Sequence, residues 1–275
     1  MTVQQQPRSR KGDYVEINGV PTYYESSGTG EPLVLLHGGM CTAETLDPLS
    51  LVLDERYRVI VPERHGHGRT ADIDGPITYE SMAQHTIGVI EALGIESANL
   101  AGWSDGALVG LLVALRRPKL VDKLVLIDQF VTLSGAADGY ESLMGGMTVD
   151  TVPPMFREAY DALSPDGGDH FPVVFDKLHR LWTGSTGIEV SDLEHVIAPT
   201  LVLCGDDGTL TLEHAAAVYR ALPDAQLAIV PGTSHGLPME KPHVVNQLIL
   251  DFLADEQAPK LFSLDDVEHE EGALA

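Results

Sequence analysis

Short apolar runs alternate with longer stretches of helical periodicity along most of the chain, a pattern that predicts a largely parallel sheet flanked by helices. Pro32 to Leu36, Arg58 to Pro62, Asn99 to Gly102, Lys123 to Ile127, Pro199 to Cys204 and Gln226 to Val230 read as strands. Ahead of them, Tyr14 to Ile17 and Val20 to Glu25 flank Asn18-Gly19, a two-residue hairpin signal. Thr78 to Leu93 places Met82, Ile87, Ile90 and Leu93 near one helical face, with Thr78 as its cap. Gly106 to Arg116 is an apolar helix stopped by Pro118, and Leu212 to Leu222 and Pro238 to Leu253 are two more.

The rhythm breaks from about Phe130 to His195, where glycines, prolines, aromatics and amphipathic fragments replace buried strands. The expected organisation is one α/β core over 14–130 and 196–254, with a helical cap inserted over 131–195. Residues 1–13 and 255–275 are expected to be flexible ends, the second of them strongly acidic.

Composition narrows the function without naming it. The 44% hydrophobic and 21% charged content is that of an ordinary globular protein. No apolar run approaches the ~20 residues a membrane span requires. A formal net charge of −24 argues against nucleic acid and anionic membrane as partners, which leaves a small-molecule substrate as the expected one. The polar start lacks the apolar stretch of an export signal, and two cysteines, Cys41 and Cys204, make no disulfide framework. A cytoplasmic location is expected on those grounds. Oligomeric state is not legible.

The chemistry is carried by Gly102-Trp103-Ser104-Asp105-Gly106, which matches G-x-S-x-G between a predicted strand and a predicted helix. In that setting Ser104 sits on a sharp turn, and the flanking glycines let backbone segments approach closely. A serine hydroxyl needs a base near it. His235, just after the last apolar strand and after the serine in chain order, is the candidate. Two backbone N–H groups would then stabilise a developing oxyanion: that of Asp105, after the serine, and that of Gly39 in His37-Gly38-Gly39-Met40. Glu63 to Thr70 carries His65 and His67, but two histidines with no further cluster do not make a metal site. Trp103 and Trp182 are candidate substrate contacts, with Phe156, Phe175, His179, Met144, Met147 and Met155 weaker ones from the inserted segment.

These motifs, with Glu63-Arg64-His65-Gly66-His67-Gly68-Arg69-Thr70 and Pro231-Gly232-Thr233-Ser234-His235-Gly236, stand in the order of the α/β-hydrolase superfamily. The chain resembles its bacterial, lid-bearing esterase-like and cofactor-free haloperoxidase-like branch over about residues 14 to 254. That resemblance implies an eight-stranded, mostly parallel sheet, a helical cap and a Ser–His–acid triad, with no metal or organic cofactor. It also implies an acid at the last position of G-x-x-D after the strand ending at Cys204, where this chain has Gly205-Asp206-Asp207-Gly208. The carboxylate is missing from that place. Asp207 is one residue early, Asp206 two, and Asp128 ends the neighbouring strand, where some members of the superfamily carry their acid. The expected acid is Asp128, with Asp207 as its alternative. His65 stands where relatives often have arginine.

The activity these features predict is hydrolysis of a small or medium uncharged ester, lactone or amide through an acyl-enzyme. Carbon–carbon bond hydrolysis and a natural-product pathway role are rivals on the same fold. A non-catalytic ligand-binding or signalling protein is the rival of another class.

Overall fold

Asn18 and Gly19 both take positive φ, 51° and 81°, and so close the predicted two-residue turn between β1 (Lys11–Ile17) and β2 (Val20–Ser27). The computed structural model describes residues 11–254. After the hairpin come β3 (Pro32–Leu36), α1 (Asp47–Leu53), β4 (Arg58–Pro62), α2 (Tyr79–Ala92), β5 (Ala98–Trp103), α3 (Asp105–Arg116) and β6 (Val121–Ile127). Three helices follow without a strand between them: α4 (Tyr140–Gly146), α5 (Pro154–Leu163) and α6 (Phe171–Trp182). The chain then returns through β7 (Thr200–Asp207), α7 (Leu212–Ala221), β8 (Ala225–Ser234), α8 (Leu237–Glu240) and α9 (Pro242–Leu253).

All eight strands form one sheet in the order β1-β2-β4-β3-β5-β6-β7-β8. The hairpin joins it antiparallel, and every pairing from β4 to β8 is parallel. The strand period of two then sorts side chains between two layers. Val34 and Leu36 face the cluster that contains α2 and α3, whereas Leu33 and Leu35 face Leu49 and Leu53 of α1 and Val245 and Ile249 of α9. Parallel strands buried on both faces explain why the runs read as continuously apolar rather than alternating.

Register is what builds a site from this sheet. Leu36 pairs with Gly102, Trp103 with Ile127 and Ile127 with Leu203, so β3, β5 and β6 end together on one rim, beside β7, which runs on to Asp207. The residues that follow, His37, Ser104 and Asp128, emerge there side by side.

Two expectations need correcting, and one helix is unexpected. Lys11, Gly12 and Asp13 are not part of a loose end, because they pair with Ser26, Glu25 and Tyr24 in β1; the remainder of the two expected flexible ends lies outside the described residues. The final helix is two helices. Pro242 has no N–H and pushes Lys241 out of helical conformation (φ −134°, ψ 58°), which separates α8 from α9. Helix α1 has no counterpart among the predicted elements, being short and lacking a full repeat of periodic pattern.

Helix α6 holds the inserted segment against the core from two sides. Val174, Phe175, Leu178 and Leu181 are buried in the same cluster as α2 and α3. Lys177 Nζ and His170 Nε2 both reach Asp72 Oδ2, at 2.6 and 2.9 Å, on the loop after β4. Among the described residues, no helix is long and apolar enough to cross a membrane.

Candidate active site

Strand β5 passes into α3 through a single residue, Ser104, held at φ 57° and ψ −129°. A non-glycine residue at positive φ is strained, and such strain persists only where its surroundings enforce it. Here two glycines do so. A Cβ on Gly102 would lie 2.1 Å from the Gly106 carbonyl oxygen, and one on Gly106 would lie 2.1 Å from that of Leu36. The turn is too tight for any other residue at either place.

The hydroxyl it presents is in hydrogen-bond reach of a base. His235 Nε2 lies 3.0 Å from Ser104 Oγ, and His235 Nδ1 lies 2.8 Å from Asp128 Oδ2. A carboxylate can only accept, so Nδ1 carries the proton and Nε2 is left to accept from the serine. The imidazole is held from its own backbone as well, because Trp103 Nε1 donates to the His235 carbonyl at 2.8 Å and the two rings lie 5.2 Å apart. Trp103, expected as a substrate contact, therefore also anchors the histidine.

Asp128 is fully buried and, like Ser104, has positive φ, 48°. Gly205 N–H donates to Oδ1 at 3.1 Å and Thr209 N–H to Oδ2 at 3.0 Å, while the Thr209 hydroxyl is shared between the Asp128 carbonyl oxygen at 3.1 Å and Oδ2 at 3.2 Å. The position at which the resemblance placed an acid explains the arrangement. A Cβ on Gly208 would lie 2.1 Å from Asp128 Oδ1, so the carboxylate of one strand fills the space a side chain on the other would occupy. The alternatives point elsewhere. Asp207 is exposed, and the backbone N–H groups of Gly232 and Thr233, the latter at 3.1 Å, hold the Asp206 carboxyl below the usual range.

Gly39 and Asp105 meet in the same pocket as Ser104. The space around Gly39 admits no side chain, since a Cβ there would sit 2.5 Å from both Asp105 Oδ2 and Trp182 Cζ2. The Asp105 carboxylate is itself buried and accepts from Trp182 Nε1 at 2.8 Å and Tyr79 Oη at 2.9 Å. Burial drives its pKa up, against the opposing pull of those two donors and of the Arg64 guanidinium. Trp182 thus joins the inserted segment to the residue that follows the serine.

The pocket over Ser104 and His235 encloses about 150 Å³. Met40, Tyr140, Met144, Met147, Phe156 and Trp182 give it an apolar wall, with Gln129 and Thr209 as uncharged polar members. Of the candidates from the inserted segment, Trp182, Met144, Met147 and Phe156 reach it. Met155 is exposed instead, Phe175 is buried in the core, and His179 bonds the Met144 carbonyl at 2.9 Å. Tyr140, Gln129 and Met40 have no signal in the sequence. A larger open cleft of about 710 Å³, lined by Thr78, Glu80, Lys177 and Arg180 among others, contains none of the site residues.

The histidines of the Glu63–Thr70 loop do not converge. His65 meets His85 edge-on at 5.2 Å, and His67 tilts against His37 at 5.1 Å. Burial lowers their pKa values to about 4 and about 3, so both are neutral packing groups at ordinary pH. Glu63 closes the loop by accepting from Ala43 N–H at 3.0 Å and Arg69 Nη1 at 2.8 Å. Cys41 and Cys204 are buried and unpaired.

Known proteins share this architecture. A 2-hydroxy-6-oxo-2,4-heptadienoate hydrolase of Pseudomonas putida is 27% identical, over 89% of this chain and 97% of its own. The human serine hydrolase BPHL is 27% identical over 87% and 85%. Among solved structures, a meta-cleavage product hydrolase from Pseudomonas fluorescens IP01 superposes with a TM-score of 0.76 at 24% identity, covering 88% of this chain and 97% of that one. The model of the alpha/beta hydrolase family matches residues 33–248, from the start of the parallel sheet into the last helix, and the chain belongs to that family.

Proposed function

We propose that the chain is a serine hydrolase acting on small, uncharged esters, lactones or amides through an acyl-enzyme. Its main support is the unbroken run of hydrogen bonds from Ser104 through His235 to Asp128. Ser104 Oγ attacks the substrate carbonyl while His235 Nε2 takes its proton. Asp128 stabilises the imidazolium that forms and keeps the ring in the tautomer the step requires. The Gly39 and Asp105 N–H groups receive the oxyanion, His235 returns the proton to the leaving group, and water releases the acyl group by the same steps.

The pocket supports the substrate class. A cavity of about 150 Å³ suits an acyl group of roughly the size of a benzene ring. Its wall holds no lysine or arginine side chain. Helices α4 to α6 act as the cap, since Tyr140, Met144, Phe156 and Trp182 close the pocket from that segment.

Carbon–carbon hydrolysis is the second reading, favoured by the Pseudomonas putida relative whose named substrate is a dienoate. Such a carboxylate-bearing substrate would want a cation in the pocket wall, and this wall is apolar.

Intact mass after incubation with a fluorophosphonate tests the proposal. Rapid single labelling of the wild type, absent in Ser104→Ala, is expected. A folded wild type that neither labels nor hydrolyses p-nitrophenyl butyrate would overturn the proposal.

A further inference from the structure

Beneath the site lies a charge that the steps above leave unused. Arg64 is fully buried, and among the described residues its guanidinium forms no ion pair. Nor do its Nε and Nη1 have a hydrogen-bond partner among them. A buried, half-satisfied guanidinium is strongly unfavourable for folding, so its retention calls for a reason. Burial lowers its pKa to about 10, and it remains a cation at neutral pH.

What Arg64 does touch is the loop carrying Gly39. Its Nη2 donates to the His37 carbonyl at 2.6 Å and to the Gly38 carbonyl at 3.2 Å, and it also lies 3.1 Å from His37 Nδ1. The Gly38 carbonyl has a second donor in His37 Nδ1, at 2.7 Å. The Gly38 carbonyl can only accept, so Nδ1 carries the proton, Nε2 accepts from Arg64 N–H at 3.4 Å, and the approach of Nη2 to Nδ1 is not a hydrogen bond. Burial and the nearby guanidinium keep that imidazole neutral.

The Gly38 carbonyl and the Gly39 N–H belong to one peptide unit. In a trans peptide they point in opposite directions, so pinning the oxygen on the Arg64 side turns the N–H away from it. Gly38 lies against the nucleophile, where a Cβ would be 3.2 Å from that of Ser104. A cation behind the carbonyl also polarises the peptide and leaves its N–H a stronger donor to an anion in front.

We propose that Arg64 is a positioning residue for the oxyanion hole, one that fixes and polarises the Gly38–Gly39 peptide through the Gly38 carbonyl. It touches no substrate. Its effect is exerted only when charge develops on the substrate oxygen, so it acts on the transition state rather than on substrate binding. Asp105, whose own N–H is the other donor, carries the buried carboxylate that electrostatically balances it. The inference rests on the serine-hydrolase reading, and its test separates the two.

The test compares wild type, Arg64→Gln and Arg64→Lys with p-nitrophenyl butyrate. It also measures inhibition by an aryl trifluoromethyl ketone, whose adduct with the serine places a real oxyanion in the hole. For Arg64→Gln, kcat is expected to fall about 30- to 100-fold with KM within twofold, below the full loss of a donor. The ketone's inhibition constant should rise by the same factor as kcat/KM falls. Lysine keeps the cation but offers one centre for two carbonyls, so its loss should be about three- to tenfold. If the glutamine variant does not fold, the lysine variant decides alone by the same paired readout. Unchanged kcat in a folded variant, or a fall in kcat with unchanged affinity for the ketone, would overturn the proposal. Absence of turnover and labelling in the wild type would instead remove the reading on which it rests.

Discussion

Strands β6 and β7 reach the same rim side by side, and the residues there could hardly differ more. Just after β6 stands Asp128, buried, backbone-strained and surrounded by donors from Gly205, Thr209 and His235. The end of β7 is Gly205-Asp206-Asp207-Gly208, with two exposed carboxylates and a glycine whose missing side chain makes room for Asp128. Carboxylates are therefore plentiful where they are solvated and single where one is enclosed. A carboxylate orients an imidazole only if it is itself held, and proximity in sequence to the usual place does not supply that.

The sharpest way to break this contrast is to neutralise each strand end in turn. Asp128→Asn should reduce kcat by about 10³- to 10⁴-fold, because the amide can donate to Nδ1 and favour the wrong tautomer. Asp207→Asn should stay within twofold of wild type, as exposed substitutions generally do. Steady-state turnover on p-nitrophenyl butyrate checks both, and a comparable loss in the two variants would erase the distinction.

Moving the carboxylate back sharpens it. Gly208→Asp alone should destabilise the fold by about 2–3 kcal/mol, since the new side chain collides with Asp128. In an Asp128→Ala background the same change should be tolerated and should raise turnover about tenfold over Asp128→Ala alone. Urea unfolding and turnover across the four-member cycle measure this coupling. Additive effects would mean that the two positions do not share one space.

Smaller effects should come from the donors around Asp128. Thr209→Val removes the hydroxyl shared between the Asp128 carbonyl and Oδ2, and a roughly tenfold loss in kcat is expected from loosening the carboxylate. Its pH–rate profile should shift along with it, which a purely structural change would not do. Asp206→Ala should have the least effect of all. Its carboxyl is held below the usual range by the N–H groups of Gly232 and Thr233, so its stabilising contribution exists above about pH 4 and fades as pH falls. Thermal unfolding at pH 6 and pH 3 should show the variant losing that increment at pH 6, with turnover unchanged.

Much of this is legible in the amino-acid sequence. The hairpin can be read because Asn18-Gly19 encodes a backbone geometry in two residues. The elbow can be read because its glycines are forced by contacts within five residues and against a neighbouring strand. Topology favours Asp128, adjacent parallel strand ends being interchangeable in reach, while the reason for Gly208 lies in a space that only the folded chain brings together. Long-range polar contacts leave no trace. Trp182 and Asp105 are 77 residues apart, and nothing local to either predicts their bond. Arg64 gives no signal of its own within the Glu63–Thr70 motif, and it is fully enclosed. The split of the last helix is written plainly in Lys241-Pro242, yet a strong apolar period running across it masks the break.

The shared space at the ends of β6 and β7 also constrains how such a chain can arise by single substitutions. A precursor with carboxylates at both positions would crowd two negative charges into one enclosed volume. One with neither would leave the histidine unoriented. On the proposed triad either order of replacement would pass through a poorer enzyme, so the two positions are expected to change together. Comparing two chains of this fold position by position, without that pairing, would score two losses where there has been a single relocation.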